Sequence, residues 1–458
     1  MKTKWILIII AVGILCGLAL PISNLIVGPP VGTSLTKQPI EDPLLAKAAP
    51  IFEKKCVNCH TQEYKLPFYA QLPPAKGIIE QDIKAGLSYL NLAEALFPAD
   101  QQPAPEVALA KIEQTTLSGT MPPMRYLALH WDGGLSAQEQ NDLLAWIRNV
   151  RVKHYATPEA PLAVQQDVIQ PLPQKVELDA QKVALGNRLF HDKRLSKDNS
   201  LACAGCHDLA MGGTDRKPFS EGVGGQVGDI NAPTVYNAGF QIKQFWDGRA
   251  ANLQEQADGP VNNPIEMASN WEEAIPKLLQ DAELTQAFRA VYPGGYSKET
   301  ITEAIGVFEQ SLVTPNSKVD KFLLGDANAL NAEEKEGYSL FKKYDCATCH
   351  VGKLLGGQSF EKMGQKADYF QGKAQKRDFG RFNFTSKEED RFKLKVPTLR
   401  NIAQTAPYLH DASTSDLKEV VGIMAKHQVG KAIPDAEQDK MVAFLNALTG
   451  EYEGKLLQ

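Results

Sequence analysis

The segment Cys56-Val-Asn-Cys59-His60 has a Cys-x-x-Cys-His pattern that occurs twice more, in Cys203-Ala-Gly-Cys206-His207 and in Cys346-Ala-Thr-Cys349-His350. A Cys-x-x-Cys-His segment is typical of c-type haem attachment, because two thiols reach the vinyl groups of one porphyrin while the next imidazole reaches the iron. Zinc sites would need paired Cys-x-x-Cys units or further His ligands, and a redox dithiol needs no His after its second Cys. The sequence therefore predicts three covalently bound haem c groups, with His60, His207 and His350 as proximal iron ligands.

Length and composition exclude several classes of protein. The 458 residues suggest about three compact units. With 49 Lys and Arg against 54 Asp and Glu, the net charge of -5 lacks the basic excess that nucleic acid selects. Hydrophobic residues make up 43% of the chain and only one long apolar run exists, so neither a disordered chain nor a multi-spanning membrane protein is expected.

That apolar run, residues 5–27, follows two lysines, and no charge appears after it until Lys37. Its 23 residues are enough to cross a hydrocarbon core of about 30 Å as a helix. The positive-inside rule leaves the N-terminus in the cytoplasm and exports the remainder to the periplasm, which suits covalent haem attachment. We expect a retained single-pass anchor in the inner membrane over residues 1–28 and a Pro- and Gly-rich linker over 29–44. A cleaved signal peptide is the alternative, which the lack of a clear A-x-A site disfavours.

Apolar helical patterns flank each haem motif. An early helix precedes the motif, and the last two copies share Gly-x-x-Leu-Phe at residues 186–190 and 337–341. A late amphipathic stretch closes each repeat, at Leu143, Leu144, Trp146 and Ile147; at Ile301, Ile305, Phe308 and Leu312; and at Met441, Val442, Phe444, Leu445 and Leu448.

These repeats predict a mainly α-helical fold, with three cytochrome c-like haem domains in tandem after the N-terminal transmembrane helix. The expected haem domains cover residues 45–160, 175–330 and 331–450. The charged stretch from Lys362 to Lys395 predicts a solvated loop that is also able to contact a partner.

The ligand on the opposite face of each iron decides what a haem does. Methionine there indicates electron transfer, whereas an open face indicates chemistry on a small molecule. In Thr120-Met121-Pro122-Pro123-Met124 a stiff proline segment follows the first motif and is able to hold a thioether against iron. We expect Met121 to ligate the first iron, with Met124 as the alternative.

Residues from about 185 to 430 resemble the bacterial dihaem cytochrome c peroxidases. The matching motifs, in order, are Leu189-Phe190 with Arg194-Leu195-Ser196, Asn231-Ala232-Pro233-Thr234-Val235, Phe245-Trp246-Asp247-Gly248-Arg249-Ala250, Glu255-Gln256-Ala257 with Gly259-Pro260, Glu266-Met267, Leu399-Arg400-Asn401 and Ala406-Pro407-Tyr408. Residues 48–150, with Met121-Pro122-Pro123 and Leu129-His130, resemble the small haem-binding domain at the front of triheme members. With the predicted anchor, the chain is similar to the membrane-anchored triheme subgroup, the quinol peroxidases.

The resemblance implies roles for individual residues. The haem on His207 would be the peroxidatic one, with catalytic residues Gln256 and Glu266 in its distal pocket and catalytic Trp246 between this haem and the next. The electron-transfer haem would be ligated by His350 and Met424, with His427 as a minor rival ligand. A carboxylate such as Glu266 is able to move a proton from the inner to the outer peroxide oxygen, and an amide such as Gln256 is able to orient peroxide.

Two further implications concern metals. The family's interdomain calcium would lie at Asn231, Thr405 and Pro407, held largely by backbone carbonyls and water, which suits Ca²⁺. Many family members carry a histidine before the Asn-Ala-Pro-Thr motif that blocks the peroxidatic iron, but here the corresponding residue is Val223 and no histidine lies between His207 and His350. We therefore expect the iron at His207 to be open, or bound only by water, in the oxidised protein.

The leading hypothesis for function is a haem-dependent peroxidase that reduces H2O2 to water with electrons from membrane quinol or a periplasmic cytochrome c. A membrane-tethered electron shuttle without peroxidase chemistry is the alternative, and it predicts sixth ligands on all three irons. A third possibility, a dihaem enzyme that oxidises a protein side chain, uses Tyr as a sixth ligand and is disfavoured by Met424. Nucleic acid is not expected as a partner, and a homodimer is left open by the sequence.

Overall fold

The computed structural model describes residues 18–26, 35, 37, 39–62, 66–97 and 102–458. The chain divides into two compact units, residues 1–154 and 155–458. Helices dominate both units, which confirms the predicted mainly helical character.

The first unit contains eight described helices. They are α1 (18–26), α2 (Pro43–Lys55), α3 (Val57–His60), α4 (Ala75–Tyr89), α5 (Leu92–Leu96), α6 (Glu106–Ser118), α7 (Met124–Leu127) and α8 (Ala137–His154). The carboxylate of Asp42 starts α2 by accepting the N–H groups of Leu44 and Leu45. The unit packs α2 on α8 through the buried rings of Phe52 and Trp146, which meet edge to face with centroids 5.7 Å apart.

The second unit contains twelve described helices and two small antiparallel ribbons. The helices are α9 (Leu162–Gln165), α10 (Ala180–Phe190), α11 (Cys203–Cys206), α12 (Leu253–Asn262), α13 (Trp271–Leu278), α14 (Ala282–Val291), α15 (Lys298–Ser311), α16 (Lys318–Leu323), α17 (Ala332–Lys343), α18 (Phe382–Thr385), α19 (Leu417–Met424) and α20 (Asp435–Asn446). The strands are β1 (Phe360–Lys362), which pairs with β2 (Lys393–Lys395), and β3 (Glu451–Tyr452), which pairs with β4 (Lys455–Leu456).

Two helix pairs in the second unit pack in the same way, through a glycine at the point of closest contact. Gly186 of α10 lies against α15 so closely that an added Cβ would sit 1.9 Å from the carbonyl oxygen of Ala304. Gly337 of α17 lies against α20 in the same way, 1.9 Å from the carbonyl oxygen of Lys440. The two Gly-x-x-Leu-Phe segments therefore use glycine to bring an early helix onto a late one, and their aromatic residues fill the contact.

The second and third haem motifs do not lie in separate domains within the second unit. Leu457, from the end of the chain, packs in the buried cluster that contains α10 and α15. The hydroxyl of Thr314 accepts the side-chain N–H of Asn237, which follows the second motif, and that of Asn401, which follows the third. Contacts between residues distant in sequence thus join both segments into one unit. The order of the repeats along the chain does not predict these contacts.

The predicted N-terminal transmembrane helix is a second point that the structure corrects. No helix of the described residues is long and apolar enough to cross a membrane. The described part of the predicted span is residues 18–26, which are helical (α1). Its Asn24 is buried and donates a hydrogen bond to the carbonyl of Leu129 at 2.8 Å. Residues 1–17, 27–34, 36 and 38 of the predicted anchor and linker lie outside the described residues. The single-pass inner-membrane location inferred from the span is not supported.

Candidate functional site

Each of the three motif histidines is oriented by a backbone carbonyl. The Nδ1–H of His60 donates to Leu90 at 3.0 Å, that of His350 to Leu355 at 2.8 Å, and that of His207 to Gly213 at 3.4 Å. Because Nδ1 carries the proton in this arrangement, Nε2 is the nitrogen able to bind iron. Burial lowers the pKa of all three rings, that of His350 to about 4. All three histidines therefore have the neutral form that ligates a metal.

The motif cysteines suit thioether formation better than zinc binding or redox exchange. None of the six forms a disulfide in the described part of the chain. Burial raises the pKa of Cys56, Cys203 and Cys346 to about 12, so these thiols are not activated as thiolates. Across the described ranges, no group of three or more His, Cys, Asp or Glu side chains forms a metal site. Paired thiols beside a neutral, carbonyl-oriented imidazole fit a covalently attached haem.

The methionines predicted as sixth ligands differ in their surroundings. Met121 is 43% exposed and Met124, at the start of α7, is 81% exposed. Met424 ends α19, and its neighbours Val421 and Ala425 share a buried cluster with Ala347 of the third motif. These contacts place the end of α19, where Met424 lies, beside the third motif.

Glu266 lies next to the second haem motif. It interacts electrostatically with Cys206, whose pKa is raised first by burial and further by this carboxylate. Asn263 donates its side-chain N–H to Glu266 Oε1 at 2.7 Å. Burial raises the pKa of Glu266, while the bond from Asn263 and the charge of Arg249 oppose the rise. The carboxyl group is therefore held at one oxygen and poised to exchange a proton at the other.

The loop that contains Val223 packs directly on Glu266. The N–H of Val223 donates to the carbonyl of Glu266 at 2.8 Å. A Cβ added to Gly222 would sit 2.2 Å from the carbonyl of Ile265, so only glycine allows this approach. The segment that carries Val223 is thus in contact with the backbone of Glu266.

Gln256 lies half-buried on α12. Asn252 is the N-cap of this helix, and its side chain accepts the N–H of Glu255. The Glu266 loop is tied to the end of this helix because the N–H of Met267 donates to the carbonyl of Pro260 at 3.2 Å. The structure therefore connects the elements that carry Gln256 and Glu266. Asn263 and Arg249 had no predicted role, although Arg249 lies in the motif of residues 245–250 and Asn263 lies three residues before Glu266, at the start of a turn.

Trp246 lies where the segments of the second and third motifs meet. Its indole Nε1–H donates to the carbonyl of Asn231 at 2.8 Å, and its own carbonyl accepts the N–H of Lys395 at 2.8 Å. The ring of His410 stands edge-on to the indole at 6.1 Å, and its Nε2 is 2.8 Å from the buried carboxylate of Asp378. A cavity of about 220 Å³ opens beside the indole. Trp246 is therefore fixed by groups from both segments.

The three residues of the predicted calcium site come from segments that meet at this point. The N–H of Asn231 donates to the carbonyl of His410, three residues after Pro407. The Nδ2 group of Asn231 donates to the carbonyls of Lys217 and Pro218, which leaves its Oδ1 to act as an acceptor. Thr405 is half-buried and Pro407 buried. An amide oxygen and backbone carbonyls of this kind fit the ligand preference of Ca²⁺.

Two family models match the chain. Residues 180–328 match "Di-haem cytochrome c peroxidase", and residues 32–149 match "Haem-binding domain". These matches give an N-terminal haem-binding domain followed by a di-haem domain. The predicted arrangement of three cytochrome c-like domains in tandem is therefore wrong, because contacts between distant residues join the second and third motifs into one compact unit.

Curated relatives and a solved structure agree with this division. The chain is 50% identical to cytochrome c peroxidase Ccp of Escherichia coli K12 over 403 residues, which cover 87% of this chain and 86% of that protein. It is 44% identical to cytochrome c551 peroxidase of Nitrosomonas europaea over 293 residues, 64% of this chain and 87% of that protein. A MauG-like protein associated with microbial copper homeostasis aligns with TM-score 0.56 and 28% identity, covering 61% of this chain and 95% of its own.

Proposed function

Since this chain belongs to the di-haem cytochrome c peroxidase family and is a haem-dependent peroxidase, we propose that it carries three covalent haems and reduces H2O2 to water at the one held by His207. The overall reaction consumes one peroxide, two electrons and two protons and yields two waters. When bound, the haem at His207 supplies the metal that takes up peroxide and delivers electrons to it. Cys203 and Cys206 would attach this haem, Cys56 and Cys59 the first, and Cys346 and Cys349 the third.

The observation that carries the proposal is the environment of Glu266. Its Oε1 accepts the hydrogen bond of Asn263, which leaves Oε2 to accept a proton from the inner peroxide oxygen and return it to the outer one. Burial beside Cys206 raises the pKa of Glu266 and so makes its carboxylate a stronger base. Gln256 does not titrate, and we assign its amide to orienting peroxide by hydrogen bonds.

Val223 supports a second part of the proposal. Its side chain has no group that binds iron, and its N–H is engaged by Glu266. The oxidised protein is therefore ready for peroxide without prior reduction. The electron shuttle without substrate chemistry, by contrast, would need three filled sixth positions.

We assign the other residues to electron supply. Electrons would enter at the His60 haem, with Met121 as its sixth ligand, from a quinol or from a periplasmic cytochrome c. They would pass to the haem of His350 and Met424, and past Trp246 to the haem of His207. Calcium held by Asn231, Thr405 and Pro407 would stabilise the junction around Trp246, and chelation with EGTA should slow turnover until Ca²⁺ is restored.

Replacement of the proposed proton carrier tests the function. Glu266→Gln keeps the shape and the hydrogen bond to Asn263 but removes the base, so kcat/KM for H2O2 should fall by about 10²- to 10⁴-fold. Glu272→Gln, an exposed glutamate in the first turn of α13, is the matched control and should retain activity. Haem content of both variants, measured by mass spectrometry of the intact chain, should stay at three. Activity in Glu266→Gln equal to that of the control would refute the assignment.

A further inference from the structure

The loop that carries Trp246 follows the second haem motif but is bound to residues that follow the third. The N–H of Ile242 donates to the carbonyl of Gly357 at 3.0 Å, and the side chain of Gln358 donates to the carbonyl of Phe240 at 2.8 Å. Gly357 is in turn bonded to the residue that follows β2, since its N–H donates to the carbonyl of Val396 at 2.7 Å. The position of the indole is therefore set by the segment of the electron-transfer haem.

Lys395, on β2, is at the centre of this attachment. Although it ends a charged stretch that the sequence predicts to be solvated, it is only 5% exposed. Its side-chain Nζ donates to the carbonyl of Lys243 at 3.0 Å and to Oε1 of Gln241. Its backbone N–H donates to the carbonyl of Trp246 at 2.8 Å. One residue thus binds both ends of the segment from Gln241 to Trp246.

The buried side chain of Lys395 acts as a hydrogen-bond donor and not as a surface charge. Burial lowers the pKa of its amine to about 7, and the charge of Asp247 opposes this shift. In either protonation state the amine has at least two N–H donors, enough for the two oxygen acceptors around it. Removal of the Lys395 amine would take this donor from the acceptors of Gln241 and Lys243. A buried polar group without a hydrogen-bond partner is costly.

The indole itself has little freedom while the loop is held. Its Nε1–H is bonded to Asn231, its ring meets His410 edge-on, and its backbone carbonyl is bonded to Lys395. Arg381 adds a contact to the next residue by donating to the carbonyl of Asp247 at 3.3 Å. Release of the loop at Gln241 and Lys243 would allow the backbone to shift and the indole to move away from its partners.

We propose that Lys395 is a positioning residue, whose side chain holds Trp246 in the geometry that carries single electrons from the haem of His350 to the haem of His207. This inference rests on the proposed function, because it takes the order of electron flow from it. In each transfer one electron leaves the donor haem and one enters the acceptor haem, and no bond is made or broken. Geometry matters because a relay group that is held in place avoids the cost of finding its position before each transfer, so a shift of the indole would slow the transfer.

The test uses Lys395→Met in the holoenzyme, since methionine keeps the apolar stem but removes the N–H donors. Lys393→Met is the matched control on the same strand, where the side chain is 28% exposed and its amine pairs with Asp390 at 3.2 Å. Stopped-flow absorbance should record electron transfer between the two haems after peroxide is mixed with reduced protein. Hydrogen exchange of residues 240–247 and spectroelectrochemical potentials of both haems complete the comparison.

We expect Lys395→Met to slow inter-haem transfer by about tenfold or more and to raise hydrogen exchange in residues 240–247, with both haem potentials equal to those of Lys393→Met. An unchanged transfer rate would overturn the inference, as would a slower rate explained by a changed potential. Peroxide consumption by the wild-type protein separates the two proposals. If wild type reduces peroxide and Lys395→Met transfers electrons normally, only the role of Lys395 fails, whereas no peroxide consumption by wild type refutes the proposed function itself.

Discussion

Arg400 and Asp320 form a buried ion pair whose removal should destabilise the second unit strongly. Their side chains are 1% and 0% exposed, and Nη1 of Arg400 lies 2.8 Å from Oδ1 of Asp320. The guanidinium also donates to the carbonyl of Lys353 at 2.7 Å and to that of Gln170 at 2.9 Å. It therefore binds the residues after the third haem motif to the segment that leads into the second unit.

The expected loss in free energy of unfolding comes from Asp320, which Arg400→Met leaves without its partner. Asp320 would keep its bonds from Ser317 and from the N–H of Leu172, but its charge would be buried without a counterion. A single uncompensated buried charge costs about 3–5 kcal/mol. Arg188→Met is the control, because its guanidinium is 41% exposed and pairs with Glu283 at 3.3 Å, a surface pair worth about 1 kcal/mol or less.

Urea unfolding of the holoenzyme, followed by far-UV circular dichroism, measures the loss in free energy of unfolding for Arg400→Met and for Arg188→Met. The double variant Arg400→Met with Asp320→Leu removes the charge along with its partner, so it should cost less than the sum of the two single changes by about 1–3 kcal/mol. The reasoning is refuted if Arg400→Met costs no more than Arg188→Met. A loss in the double variant equal to the sum of the losses in the two single variants would also contradict the prediction.

Two further predictions concern the peroxide site. Val223→His should restore a blocking ligand, so peroxide consumption by the oxidised variant should appear only after preincubation with a reductant, whereas wild type needs none. Asn263→Ala removes a bond that lowers the pKa of Glu266, so that pKa should rise further. Because proton acceptance requires the carboxylate, the acid limb of the pH profile of kcat/KM should begin above the ordinary glutamate pKa in wild type and move to higher pH in Asn263→Ala. A limb that stays in place or moves toward acid would contradict the role of Glu266.

Local patterns in the sequence predict the helix pairs well. Gly186 and Gly337 stand at the same position of a repeated segment, and each lies where an early helix meets a late one. This works because helix periodicity and a small residue at a close contact are both properties of a short stretch of chain. The haem motifs are local for the same reason, since two thiols and an imidazole must reach one porphyrin.

The arrangement of the repeats could not be predicted in this way. The end of the chain, at Leu457, packs on helices of the second motif, and Lys395 binds a loop that lies far before it in sequence. Such contacts depend on the folded topology, and no local pattern encodes them. Hydropathy likewise predicted an anchor from an apolar run, although the described part of that run places a buried Asn24 against Leu129.

The central claim is that one iron, at His207, has an open face while the other two are six-coordinate. Electron paramagnetic resonance of the fully oxidised holoenzyme tests it most directly. The account predicts one high-spin ferric signal, lost when peroxide or a strong-field ligand is added, beside two low-spin signals. Three low-spin signals in the resting protein, unchanged by peroxide, would contradict it.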